Sequence, residues 1–234
     1  MEVIPENFFF SRGTVKTLTE RFPIVLHSVG LSLGSSLKIN HVEQLKELIA
    51  LSSAHWLSDH VSYTHVNGLE IGHLTPVPFT EEAALKIIEN LRRVKDAVSC
   101  PVAIENITYQ FRWPNNEMSE AQFLTTILEE ADVGLLLDVE NVYNNATNHR
   151  YDAVDFIDRL PLNRLFQIHL AGGRWKENRR LDTHDNIVEE EVWALLRHVR
   201  SRVMIPAVTL EWDRNLPPFD VILEQLSRAR AIVG

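Results

Sequence analysis

The chain of 234 residues contains a single cysteine, Cys100. An internal disulfide is therefore excluded, and a reducing, cytoplasmic setting is expected. Long apolar runs are missing too. No stretch approaches the length a bilayer requires, so neither a membrane span nor a membrane partner is expected. The N-terminus lacks a basic start followed by a long apolar stretch, which predicts no signal peptide. Positive charge is in short supply: 23 Lys and Arg stand against 32 Asp and Glu, a net charge of −9 with His neutral. That balance disfavours nucleic acid as a partner, because binding phosphate requires a basic face. Low-complexity tracts, interdomain linkers and internal repeats are also lacking. One domain over 1–234 is the expectation, and 45% hydrophobic residues suffice for its core.

What is present is an alternation of short apolar runs with helical stripes. Asn40 and Glu43 predict a helix start, followed by Leu45, Leu48 and Ile49 at helical spacing. Thr80 caps the next helix, with Leu85, Ile88, Leu91 and Val94 on one face. Ser119 and Gln122 form a capping box before Phe123, Leu124, Ile127 and Leu128. Val192, Leu195, Leu196 and Val199 make another stripe, and a last helix follows Pro217-Pro218. Such alternation indicates an α/β fold with a parallel sheet. We count about seven strands, beginning around Glu2-Val3-Ile4, against the eight of a closed (β/α)8 barrel. A first strand is expected to be missing. The exposed sheet edges then predict a longer natural start or closure by a dimer or a partner segment.

Six of the apolar runs end on a metal-ligand type: His27, His60, Glu105, Asp138, His169 and Glu211. In a parallel barrel the C-terminal strand ends share one mouth, where active sites form. Asp182 and His184 add two more ligand types beyond a Gly-Gly turn and a basic loop, Arg174 to Arg180. Taken singly, a histidine at a strand end is usually a hydrogen-bonded structural residue, and a carboxylate there often caps a helix. Recurrence on strand after strand reverses that reading, since buried charge is costly unless paired or metal-bound. Four imidazoles and four carboxylates suit Fe, Mn or Zn and do not suit a thiolate site. They are too many for one ion, so two or three ions are expected. His41 reads as the first turn of a helix, His198 as a surface residue, and His65 and His73 as lying in a loop.

The motifs are specific in combination. LHSVGLSLG from Leu26, LTPVPF from Leu74, Ile104-Glu105-Asn106, LDVENVY from Leu137, IHLAG from Ile168, Asp182-Thr183-His184 and Glu211-Trp212-Asp213 occur in order. Together they resemble the multinuclear non-heme iron-dependent oxidases, the family of the methanobactin-biosynthesis oxidase. The resemblance implies a TIM-barrel-like, xylose isomerase-like fold, and two or three irons that use dioxygen to modify side chains, often Cys, of a ribosomally made precursor peptide. It also implies a small partner protein that presents the peptide. The eight residues above then correspond to the iron ligands. Asn141 is a further ligand or supporting donor, and Asn106 and Asp213 orient ligands. Asp59 and Arg174 are the candidates for substrate contact, Arg174 because its basic loop lies at the mouth. This chain departs from the usual pattern in having Glu140 for Asn, Asp59 for Glu and Gly173 for a frequent His, and in having no Gly-rich strand upstream of Glu2.

The expectation is thus an iron- and dioxygen-dependent, peptide-modifying oxidase. Two rivals stand beside it. One is a metal-dependent hydrolase or isomerase of related fold, such as a zinc phosphodiesterase or sugar isomerase. The other is a barrel that binds a peptide without turnover.

Overall fold

A computed structural model describes residues 1–234. The chain divides into two compact units, Met1–Glu105 with Phe111–Gly134, and Asn106–Gln110 with Leu135–Gly234. Seven parallel strands are distributed between them, the number expected.

The first unit runs β1 (Glu2–Val3), α1 (Arg12–Thr19), β2 (Val25–His27), α2 (Ile39–Ser52), β3 (Leu57–His60), β4 (Ser62–Val66), β5 (Leu69–Pro76), α3 (Glu81–Ala97), β6 (Val102–Glu105) and α4 (Glu120–Glu130). Strands β1, β2, β3 and β6 are parallel neighbours in that order. Every residue of β3 and β6 is buried, as a parallel sheet covered on both faces requires. The register sets His27 beside Ser58 and His60 beside Glu105.

Helix caps form where the chemistry predicts them. Thr80 Oγ1 accepts from the Ala83 N–H at 3.2 Å, and Ser119 with Gln122 completes the capping box. In α3, Ile88, Leu91 and Val94 are buried as expected, together with Ile87, whereas Leu85 is exposed. The start of α2 differs from the expectation. The Lys38 carbonyl accepts from His41 and Val42, so the first turn closes upstream of Asn40 and no side chain caps it. His65 and His73 lie in an antiparallel hairpin, β4–β5, and not in a loop. Its turn, Asn67-Gly68, has φ of 50° and 81°, the positive values that a tight hairpin turn needs.

The second unit runs β7 (Gly134–Asp138), α5 (Val139–His149), α6 (Ala153–Asp158), β8 (Leu165–Leu170), β9 (Arg174–Lys176), β10 (Arg179–Leu181), α7 (Glu190–Arg202), β11 (Val208–Leu210) and α8 (Phe219–Val233). Strands β7, β8 and β11 are parallel neighbours, with His169 opposite both Asp138 and Thr209. The basic loop is an antiparallel hairpin, β9–β10. Helix α5 follows β7 with no intervening loop, because Asp138 ends the strand and caps the helix, its Oδ1 accepting from the Asn141 N–H at 2.8 Å. Asparagines of α5 then pin its surroundings: Asn145 donates to the Ile107 carbonyl and accepts from the Tyr109 N–H, while Asn148 exchanges two hydrogen bonds with the Arg180 backbone. The stripe on α7 is buried as expected. In α8 only Gln225 and Ala229 are, and Leu223 is exposed.

Candidate metal centre

In the first unit three ligand atoms meet. His27 Nε2 and His60 Nε2 each stand 3.2 Å from Glu105 Oε2 and 3.3 Å from each other. Donors sharing one ion at about 2.0–2.2 Å lie roughly 3.0–3.5 Å apart. All three side chains are buried, where a carboxylate against two imidazoles needs a cation or a proton to be tolerable. The strands hold the rings from behind. His27 Nδ1 lies 2.9 Å from Ser58 Oγ. Asp59, also buried, accepts from the His60 N–H at 2.6 Å and from the Leu31 N–H at 2.9 Å. Its carboxylate therefore clamps the backbone behind His60.

The second unit gathers the remaining five. His169, fully buried on β8, has Nδ1 3.2 Å from Glu211 Oε2. Asp138, His184 and Glu211 each place a ligand atom within 4.8 Å of the others. His184 Nδ1 lies 3.3 Å from Asp213 Oδ2 and 3.5 Å from Glu211 Oε2, while its Nε2 lies 2.6 Å from Asp182 Oδ1. The ring reaches this position from a left-handed backbone, φ 45°, a conformation that is costly for a non-glycine residue. Burial opposes the charge on His184, but Asp182, Asp213 and Glu211 outweigh it and hold the imidazolium well above its ordinary range. Asp213 is held below the usual carboxylate range, chiefly by its hydrogen bond with His184.

Two asparagines set Asp138. Asn106 Nδ2 donates to the Asp138 carbonyl, and its Oδ1 accepts from the Asp138 N–H, both at 3.0 Å. Asn141 Nδ2 donates to the Asn106 carbonyl, and its Oδ1 accepts from Thr108. Its amide is thus engaged as a support. Arg174 is half exposed, and its Nε donates to Asp185 Oδ1 at 2.7 Å.

Three residues here escaped the sequence analysis. Ser58 and Gln167 each sit two positions before a strand-end histidine, and period 2 puts them on the same face. Gln167 Nε2 lies 3.0 Å from His169 Nε2 and 2.7 Å from Thr209 Oγ1. The third is Glu140, which groups with Asp182 and His184 within 4.8 Å. It is fully buried. Burial, and then repulsion from Asp182, push its carboxyl up to about 8.

The chain is similar to known proteins along its whole length. A family model described as "RiPP precursor modification enzyme MbnB/TglH/ChrH" matches residues 1–234. A UPF0276 protein of Caulobacter vibrioides is 36% identical over 237 residues, covering 99% of this chain and 85% of the relative. A UPF0276 protein of Nitrosospira multiformis is 37% identical, covering 97% and 81%. Among solved structures, D-psicose 3-epimerase matches with a TM-score of 0.61 at 13% identity, covering 100% of this chain and 88% of that one. A xylose isomerase domain protein from Planctomyces limnophilus matches with 0.62 at 11%, covering 99% and 88%. Endonuclease IV from Thermus thermophilus matches with 0.59 at 18%, covering 94% and 80%. At such identities the likeness establishes the fold alone, a TIM-barrel-like α/β fold of the xylose isomerase type, as expected. No helix is long and apolar enough to cross a membrane. With a family model spanning every residue and relatives above one-third identity, the chain belongs to the MbnB/TglH/ChrH family of RiPP precursor modification enzymes.

Proposed function

We propose that this chain is a multinuclear non-heme iron, dioxygen-dependent oxidase that modifies side chains, often Cys, of a ribosomally made precursor peptide. A small partner protein presents the peptide, and the single free Cys100 fits a reducing cytoplasm. One observation carries the metal reading: two imidazole nitrogens converge on one buried carboxylate oxygen at 3.2 Å each. The donor chemistry fits iron, being all imidazole nitrogen and carboxylate oxygen. His27, His60 and Glu105 would hold ions in the first unit. Asp138, His169, Asp182, His184 and Glu211 would hold them in the second.

When bound, the irons supply the electrons that dioxygen needs and an acceptor for a peptide thiolate. The chain's own residues do the rest. Ser58 and Asp59 fix the His27 and His60 rings from the strand side. Asn106 and Asn141 hold Asp138, and Gln167 orients His169. Burial of His27, His60, Glu105, Asp138 and His169 keeps bulk water from those five ligands, which strengthens the charge interactions among them.

The test is anaerobic purification from iron-replete cells, metal counting, and oxygen uptake with the precursor peptide encoded beside the gene. More than one iron per chain, with peptide-dependent oxygen uptake, is expected. Zinc in its place, with phosphodiester hydrolysis or sugar isomerisation, would replace the reading with a hydrolase or isomerase. Peptide binding without turnover would make the protein a binding barrel.

A further inference from the structure

The β9–β10 hairpin follows His169 in the chain, and Asp182 comes directly after Leu181, its last residue. Three features fix its shape. Asn148 Oδ1 accepts from the Arg180 N–H at 2.8 Å, and Asn148 Nδ2 donates to the Arg180 carbonyl at 3.0 Å. The Arg180 guanidinium is fully buried and pairs with Glu189. At the base of the hairpin, Gly173 lets the chain press against α5: a Cβ there would lie 2.2 Å from Glu140 Oε1.

The Asn148 bonds determine where β9 is left open. In an antiparallel pair, opposite residues exchange both backbone hydrogen bonds or neither. Arg180 stands opposite Trp175, and its N–H and carbonyl are turned the other way, to Asn148. Trp175 therefore turns its own N–H and carbonyl away from β10. No strand lies on that side, since β9 and β10 form a sheet of two. All three residues of β9 are exposed. An open strand edge of this kind accepts an extended chain as a third strand.

The side chains show which chain it accepts. Alternation and register put Arg174, Lys176 and Arg179 on one face. Lys176 and Arg179 form no ion pair with this chain, and Arg174 meets one carboxylate, Asp185. Glu177, in the turn, is the only acidic residue of the hairpin. In a chain of net charge −9, three cations gathered on one face favour an acidic ligand. Trp175 occupies the other face, half exposed, with the Arg180 guanidinium 5.6 Å from its ring centre. Its exposed part is an aromatic surface for an apolar side chain.

We propose that the free edge of β9 binds an acidic stretch of the precursor peptide by strand addition, with an apolar residue opposite Trp175 and an Asp or Glu on each side of it. The proposal rests on the peptide-modifying reading above and supplies its mode of recognition. The central residue exchanges two hydrogen bonds with Trp175. Its two neighbours fall on the face of Arg174, Lys176 and Arg179. Arg174 is opposite Leu181, the residue before Asp182. The added strand thus lies roughly 10 Å from β10, two interstrand spacings, and past Arg174 it leads the peptide toward Asp182.

The experiment uses the full chain and a fluorescein-labelled peptide, Ser-Glu-Val-Glu-Ser, blocked at both ends. Anisotropy should show saturable binding that weakens with salt, and the Trp175 amide should become protected from hydrogen exchange. N-methylation of the valine removes the donor to the Trp175 carbonyl and should weaken binding about tenfold. N-methylation of the following Glu, whose N–H points away, should leave binding nearly unchanged. Lys176→Glu should also weaken binding about tenfold, and the precursor peptide should displace the probe. Equal binding of the two N-methylated forms, an unprotected Trp175 amide, or displacement by the partner protein alone overturns the proposal. None of these readouts needs metal or turnover. The proposal fails alone if iron and peptide-dependent oxygen uptake are present while the probe ignores the hairpin. Probe binding at the hairpin of a chain without iron or turnover overturns the oxidase and supports the strand site.

Discussion

Asn106 and Asp138 are joined by a reciprocal pair of hydrogen bonds, side chain to backbone, each 3.0 Å long. The asparagine amide imitates a neighbouring strand and pairs with β7 where Asp138 ends it. The position of Asp138 therefore depends in part on one neutral side chain that bonds to its backbone.

Asn106→Ala should destabilise the protein by about 2–3 kcal/mol, because a buried N–H and a buried carbonyl lose that partner together. Urea unfolding measures it. A change below about 0.5 kcal/mol, the range of an ordinary surface substitution, would mean that other groups hold Asp138.

Metal removal should lower the melting temperature, since ions bind the native state preferentially and like charges are left facing one another. With free iron at about 100 times Kd, the added stability is about 2.7 kcal/mol, or roughly 5–10 °C for a chain of this size. Calorimetry before and after verified chelation checks it. His169→Ala and Asp138→Ala should each lower the iron content sharply. Full iron in both variants would show that these residues are not ligands.

Glu6 gives a pH-dependent contribution. Burial raises its pKa, but hydrogen bonds from His41 and Ser28 outweigh that and hold it below the ordinary 4.5. Ser28 Oγ donates at 2.6 Å and the Val29 N–H at 3.0 Å. For a carboxyl lowered in the folded state, the stabilisation is fully present above the unfolded value. It is lost as pH falls through the folded value. The stability gap between wild type and Glu6→Gln should thus be present at about pH 6 and should close as pH drops below about 4.5. A gap independent of pH down to about 3 would contradict this.

Cys100 should be a slow nucleophile. Burial pushes its thiol up to about 11, leaving about one part in a thousand as thiolate at about pH 8. Alkylation by iodoacetamide should be at least about tenfold slower than that of free cysteine, and should accelerate up to about pH 10 and beyond. Equal rates at about pH 8 would contradict the environment described for it.

The parallel strands and their terminal ligands were legible because buried strands read as unbroken apolar runs, and a charged residue closing such a run stands out. Helix α5 was not legible by apolar periodicity. Part of its inward face is Asn141, Asn144 and Asn145, which are buried because they hydrogen-bond to backbone and side chains. The β4–β5 hairpin carried its signal in Asn67-Gly68, but its flanks, Glu70, Gly72 and His73, are exposed and do not alternate. The α8 stripe misled in the other direction: of Val221, Ile222, Leu223, Leu226 and Ala229, only Ala229 is fully buried. Glu140 stood out in the sequence only as a departure from the usual pattern, since its surroundings arise when β10 brings Arg180 against α5. Gln167 and Ser58 were within reach through the period of two, once the strand-end histidines had been identified.

The bare Cα of residue 173 also limits which substitutions its surroundings can absorb. A Cβ there meets not only Glu140 but the Leu181 carbonyl, at 2.4 Å. The first obstacle is a side chain and can be removed by one substitution; the second belongs to the backbone and cannot. Shortening residue 140 would therefore not readmit a side chain at 173, because the hairpin itself stands in the way. Residue 173 accepts no side chain for as long as the hairpin keeps this conformation.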